Sequence, residues 1–143
     1  IYLNVEVDMM KDIAKRQLLD GLPVWMGCDV GKQLHRPTGI WHLDIFEFDN
    51  LYGCQFGMNK RDRLLYSQTL MTHAMMFTGV DVDPESGNAL KWRVENSWGD
   101  ANGKKGFYCM HDNWFNEHMF EIAPPRSFAV LLLNHTLKRS KVP

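Results

Sequence analysis

Cysteine, long apolar runs and excess charge are all scarce in this sequence of 143 residues. The cysteines Cys28, Cys54 and Cys109 are odd in number and form no CxxC pair, which argues against a disulfide framework and favours a reducing, cytoplasmic compartment. The longest uncharged apolar run, 128–133, is far shorter than the roughly 18 residues that a membrane-spanning helix needs. With 16 basic and 17 acidic residues the net charge is -1, so no basic excess favours nucleic acid or an anionic membrane as a partner.

The first 30 residues predict a helix followed by a buried strand. Four apolar residues recur at helical spacing and share one face: Met10, Ile13, Ala14 and Leu18. Asn4 is the expected N-cap of this helix, and Gly21 is its expected C-terminal stop. The apolar segment 24–30 then predicts a short buried strand.

Short strands and short helices follow, separated by segments rich in turn-forming residues. Strands are predicted at 73–82, 90–95, 107–110 and 119–122, with a brief one around 45–48 inside the otherwise irregular segment 32–57. Short helices are predicted at 60–63, capped by Asn59, and at 112–118. The sum is an α+β domain with a mostly antiparallel sheet.

A histidine and an asparagine frame the hairpin predicted from the strands 73–82 and 90–95. His73 begins one strand and Asn96 follows the end of the next, so antiparallel pairing brings them within hydrogen-bond reach. A neutral amide fixes the orientation and tautomer of an imidazole without adding charge. A histidine held in this way can stabilise a thiolate as its ion-pair partner. Trp98, two residues beyond Asn96, is expected to cover the pair and to keep water away from their hydrogen bond.

Three segments of the sequence resemble the bleomycin hydrolase branch of the papain-like cysteine proteases. They are Val24 to Lys32, Leu70 to Met75, and Lys91 to Gly99 with its Asn-Ser-Trp-Gly. The resemblance implies the sheet-rich half of a papain-like fold, with His73 as the catalytic histidine, Asn96 as the catalytic asparagine and Trp98 in support. It also implies a cytosolic cysteine-type aminopeptidase that acts on peptides with a free N-terminus and assembles as a hexamer. No metal or organic cofactor is implied.

The resemblance covers only part of the family's pattern. The nucleophilic cysteine lies far upstream of the histidine in that family, and no cysteine of this chain stands in its place. We therefore interpret residues 1–125 as a partial peptidase domain without its cysteine half, and residues 126–143 as an atypical C-terminal tail. Cys28 and Cys109 are interpreted as small hydrophobic side chains. The alternative hypothesis is an inactive half-enzyme that acts as a binding or subunit-interaction module and exposes an apolar surface.

Overall fold

The computed structural model describes residues 2–128 and 130, which form one seven-stranded sheet flanked by helices. The structure contains the helices α1 (Val7–Leu19), α2 (Phe48–Tyr52), α3 (Lys60–Leu65) and α4 (Asp112–His118). The strands are β1 (Val24–Cys28), β2 (Leu34–His35), β3 (Ile40–Trp41), β4 (His73–Val82), β5 (Ala89–Glu95), β6 (Phe107–His111) and β7 (Met119–Ala123). The predicted tail lies almost wholly outside the described residues, and the division at residue 125 stays a prediction.

The sheet has the strand order β2-β3-β6-β5-β4-β1-β7. Every neighbouring pair is antiparallel except β3 and β6, which run parallel. The predicted class, α+β with a mostly antiparallel sheet, is confirmed. The long hairpin of β4 and β5 occupies the middle of the sheet, so the residues at its open end are held by strands on both sides.

One hydrophobic core fills the inner face of the sheet. Alternate residues of β1 and β4 point into it, and α1 covers one side with Ile13 and Ala14. The largest fully buried side chains are aromatic or sulfur-containing: Trp41, Trp92, Trp114, Phe77, Phe115, Met26, Met110 and Met119. Full burial of a side chain of this size contributes roughly 1.5–3 kcal/mol. The core therefore gives the hairpin a rigid base.

Two local predictions are wrong. Helix α1 begins at Val7 with Glu6 as its N-cap rather than Asn4, because the first helical hydrogen bond runs from the N–H of Met10 to the carbonyl of Glu6. The brief strand predicted around 45–48 is absent, and α2 begins at Phe48 instead. The Phe48 and Tyr52 rings contact each other one helical turn apart, with centroids separated by 6.5 Å, so the aromatic run follows a helical period.

Other local predictions are confirmed. The Asn59 side chain accepts a hydrogen bond from the N–H of Asp62 and so caps α3, and α4 has the expected bounds. The segment 32–57 was expected to be irregular, but it also contains the two-residue strands β2 and β3. Such short strands leave almost no periodic signal, since pairing with a distant strand decides them.

Candidate active site

His73 and Asn96 meet at the open end of the β4–β5 hairpin. Met76 pairs with Glu95 across the hairpin, so Asn96 follows opposite Met75, and His73, two residues further on the same face of β4, is its diagonal neighbour. The Nε2 atom of His73 lies 3.0 Å from the Oδ1 atom of Asn96. The proximity expected from antiparallel pairing is therefore confirmed.

The backbone beside Asn96 fixes the direction of this hydrogen bond. The N–H of Ser97 donates to Asn96 Oδ1 over 2.8 Å, which requires the oxygen of the amide at that position. Since Oδ1 is an acceptor, His73 Nε2 must carry the proton and donate it. The neutral imidazole then has its lone pair on Nδ1, the nitrogen that faces away from Asn96. This is the tautomer that a general base needs.

The imidazole and the amide both lie where the core meets solvent. Met75 and Phe77 share the His73 side of β4 and are 5% and 0% exposed, whereas His73 itself is half-buried. The Nδ2 atom of Asn96 is buried and has no hydrogen-bond partner among the described residues. The pair therefore combines a fixed, buried end at Asn96 with an accessible end at His73.

Trp98 stacks on the imidazole, as expected from its position in the sequence. The two ring centroids are 4.9 Å apart and the planes are inclined by 26°. The indole also makes a T-shaped contact with the ring of Tyr108, with a centroid distance of 6.1 Å. A stacked indole excludes water from the imidazole face and tolerates either charge state of the ring.

The cysteines of the chain provide no activated thiol at this site. Cys28 lies directly opposite His73 in the β1–β4 register, a neighbour that the sequence alone did not reveal. Burial, with a smaller contribution from the Asp29 carboxylate, raises the pKa of the Cys28 thiol to about 12, so the thiol stays protonated. Burial also raises the pKa of Cys109, which is half-buried on β6, while Cys54 is exposed in the loop after α2.

A hollow of about 430 Å³ opens beside Asn96. Its wall is mainly apolar and includes Trp25, Ala74 and Met76, with Glu95 at the polar side. The volume suits one side chain or a short peptide segment. Sequence reasoning did not predict this hollow, because it forms between the outer faces of β1, β4 and β5.

A family model for the peptidase C1-like family matches residues 1–138. The chain belongs to this family. Bleomycin hydrolase from Homo sapiens is 41% identical over 128 residues, which are 88% of this chain and 28% of that protein. Aminopeptidase C from Lactococcus lactis subsp. cremoris is 43% identical over 121 residues, which are 85% of this chain and 28% of that protein.

A solved structure shows the same architecture. The crystal structure of PepW from Lactobacillus rhamnosis HN001 matches with a TM-score of 0.86 and 39% identity over 97% of this chain. The match covers 31% of the PepW chain, so this peptidase C1-like chain spans under a third of the relatives it matches. The papain-like fold class is thereby shown. Across the described residues, no helix combines the length and apolarity needed to cross a membrane.

Proposed function

We propose that this chain supplies the histidine–asparagine half of a cysteine-type aminopeptidase. The observation that carries the proposal is that the N–H of Ser97 and the Nε2–H of His73 both donate to Asn96 Oδ1. This hydrogen-bonded set is called the relay below. This relay leaves Nδ1 of His73 available for a thiol. Membership of the peptidase C1-like family supports the same chemistry.

The nucleophile has to come from a cysteine outside this chain, because its own thiols are buried and protonated or lie away from the hairpin end. The external thiol transfers its proton to Nδ1 of His73, and the thiolate adds to the peptide carbonyl carbon. As the carbon–nitrogen bond breaks, the imidazolium returns that proton to the departing amine and a thioester remains. Water then attacks the thioester while Nδ1 accepts its proton, and the released acid leaves the thiolate–imidazolium pair.

Asn96 and Trp98 act through His73 in this scheme. Asn96 keeps the imidazole in the tautomer that exposes Nδ1, and Trp98 protects the Nε2–H hydrogen bond from water. The hollow beside Asn96 would receive part of the substrate. Peptides with a free N-terminus as substrates, a homo-hexameric assembly and a cytoplasmic location belong to the same proposal, and the names of the relatives support its aminopeptidase element.

A chimera tests this proposal directly. The segment of Lactococcus lactis aminopeptidase C that matches this chain is replaced by the chain itself, so that the relative provides the thiol. We expect thiol-dependent release of an N-terminal residue from a fluorogenic substrate. His73→Gln should lower kcat by roughly 100- to 10,000-fold, the usual contribution of general acid–base catalysis.

The matched control is His111→Gln. His111 pairs with Lys91 at the far end of β5 from Asn96, so its replacement should leave kcat unchanged. A chimera that folds and loses activity equally with both substitutions would contradict the proposal. So would full activity in the His73→Gln chimera.

A surface observation favours a second candidate, a subunit-interaction module. Four aromatic rings in and around α2 form a row in which each ring contacts the next, with centroids 5.8, 6.5 and 5.9 Å apart. They are Phe46, Phe48, Tyr52 and Phe56, and each is between 38% and 65% exposed. A contiguous apolar surface of this kind marks an interface. The occupant we propose is the portion of the relatives that lies outside the matched segment, which the proposed mechanism requires to carry the thiol.

Binding of that thiol-bearing portion, produced separately from the Lactococcus relative, tests the second candidate. Tyr52→Asp should weaken its binding to this chain, because the charge would be buried in an apolar contact. Tyr66→Asp is the matched control, since Tyr66 is 70% exposed and lies outside the row of four aromatic rings. Equal affinity for the Tyr52→Asp and unmodified chains, measured by calorimetry, would contradict an interface at α2.

A further inference from the structure

Trp98 has a second polar neighbour besides the imidazole. The guanidinium carbon of Arg36 lies 4.6 Å from the centre of the Trp98 ring, and the imidazole of His73 stacks on the same indole at 4.9 Å. Among the described residues, Arg36 forms no ion pair with a carboxylate. Its charge is therefore directed at the aromatic ring rather than at an acidic partner.

The backbone beside Arg36 is hydrogen-bonded to the loop that follows Trp98 and to strand β6. The N–H of Gly103 donates to the carbonyl of Pro37 over 3.3 Å, and the N–H of Cys109 donates to the carbonyl of Gly39 over 2.8 Å. Gly39 has a φ of 67°, and a Cβ there would lie 2.6 Å from the Cα of Gly103. The two loops approach so closely that the position of Arg36 relative to Trp98 is set by the backbone.

We propose that Arg36 is a positioning residue that holds Trp98 over the His73–Asn96 hydrogen bond. The inference rests on the proposed function, because it assigns Arg36 a role in keeping Trp98 over the His73–Asn96 hydrogen bond. A guanidinium stacks flat on an indole, so it opposes rotation of the ring away from the imidazole. A cation–π contact at an exposed site is worth enough to change the population of the displaced indole by about two- to five-fold.

Exchange of the proton on His73 Nε2 with solvent reports this cover in the intact chain. The proton is observed by nuclear magnetic resonance at pH 8 in protein labelled with ¹⁵N-histidine, and Asn96 holds it in the hydrogen bond. We expect Arg36→Ala to accelerate exchange by about two- to five-fold. Arg36→Lys, which retains the charge, should accelerate it less, and Trp98→Ala should accelerate it most.

Arg93→Ala is the matched control. The Arg93 guanidinium lies 3.9 Å from the centre of the Phe107 ring, so the substitution removes a similar cation–π contact at a different place. It should leave exchange at His73 unchanged. Thermal unfolding of each variant separates a local effect from loss of the fold, since a general destabilisation would lower the melting temperature as well.

The outcomes separate this inference from the peptidase proposal. Exchange that is unchanged in Arg36→Ala but faster in Trp98→Ala would overturn the role of Arg36 and leave the relay intact. Exchange that is unchanged in both would overturn the cover by Trp98 as well. Neither result decides whether His73 catalyses peptide hydrolysis, which the chimera measures independently.

Discussion

A buried histidine away from the relay should make this fold sensitive to acid. His118, the last residue of α4, is only 6% exposed, and its ring lies 4.9 Å from that of Trp114. Burial, with smaller contributions from the nearby cations Arg63, Lys32 and Lys60, lowers the pKa of His118 to about 3. The folded protein therefore keeps the imidazole neutral far below the ordinary histidine pKa of about 6.5.

The pKa difference sets the size of the effect. Because the folded pKa lies below the unfolded one, His118 contributes its full stability above about pH 6.5, and this is lost as the pH falls toward 3. Proton linkage gives a loss of about 2.5 kcal/mol in the free energy of unfolding between pH 7 and pH 4.5. The figure hardly depends on the folded pKa as long as that pKa lies well below 4.5, because the penalty then arises almost wholly from protonation of the unfolded chain.

His118→Phe isolates this contribution, since a phenyl ring fits beside Trp114 and does not titrate. Urea unfolding at pH 7 and pH 4.5 should show that the variant loses about 2.5 kcal/mol less than the unmodified chain. Met119→Leu is the control, because Met119 is fully buried next in sequence and its replacement changes packing alone. Equal losses in the His118→Phe and unmodified chains would refute the reasoning. If the His118→Phe variant fails to fold, a pH titration of the His118 ring in the unmodified chain, followed by nuclear magnetic resonance, decides the same question. Protonation of the ring at or above pH 6 would refute the reasoning.

Three further substitutions test the local structure by urea unfolding at pH 7. Asn59→Ala should lower the free energy of unfolding by about 1 kcal/mol through loss of the α3 cap, and Asn59→Ser should restore most of it. Thr69→Val should cost about 1–3 kcal/mol, because the Thr69 hydroxyl donates over 2.6 Å to the buried carboxylate of Asp29, and no loss would mean that solvent replaces it. Gly39→Ala should destabilise the fold by at least about 1 kcal/mol, since its positive φ and the backbone of Gly103 leave no room for a Cβ, whereas a neutral result would show that the two loops can separate.

The sequence could predict the relay because all of its determinants are local to one hairpin. The strand 73–82, the turn-forming residues after it and the strand that ends at Glu95 specify an antiparallel pair without any distant contact. Once the hairpin is given, the placement of His73 beside Asn96 follows from register alone. The resemblance to a known family then assigned roles to residues whose proximity was already expected.

Contacts between distant segments could not be predicted in this way. The parallel pairing of β3 with β6 joins residues about 70 positions apart, and β3 has only two residues, too few to show a period. Arg36 reaches Trp98 only because that pairing and two glycines bring their loops together. The aromatic residues of α2 have strong strand propensity, yet they form a helix in which Phe48 and Tyr52 lie one turn apart.

Cys28 shows why proximity to the histidine does not by itself make a nucleophile. Its backbone pairs with that of His73, but its side chain is fully buried and Asp29 adds a negative charge beside it. Both influences favour the thiol over the thiolate, whereas a catalytic cysteine needs a site that stabilises negative charge. At the accessible end of the relay, Nδ1 of His73 faces away from Asn96, so a thiol brought there from outside the chain would meet a general base. Under the proposed function, the nucleophile therefore has to be sought beyond this chain.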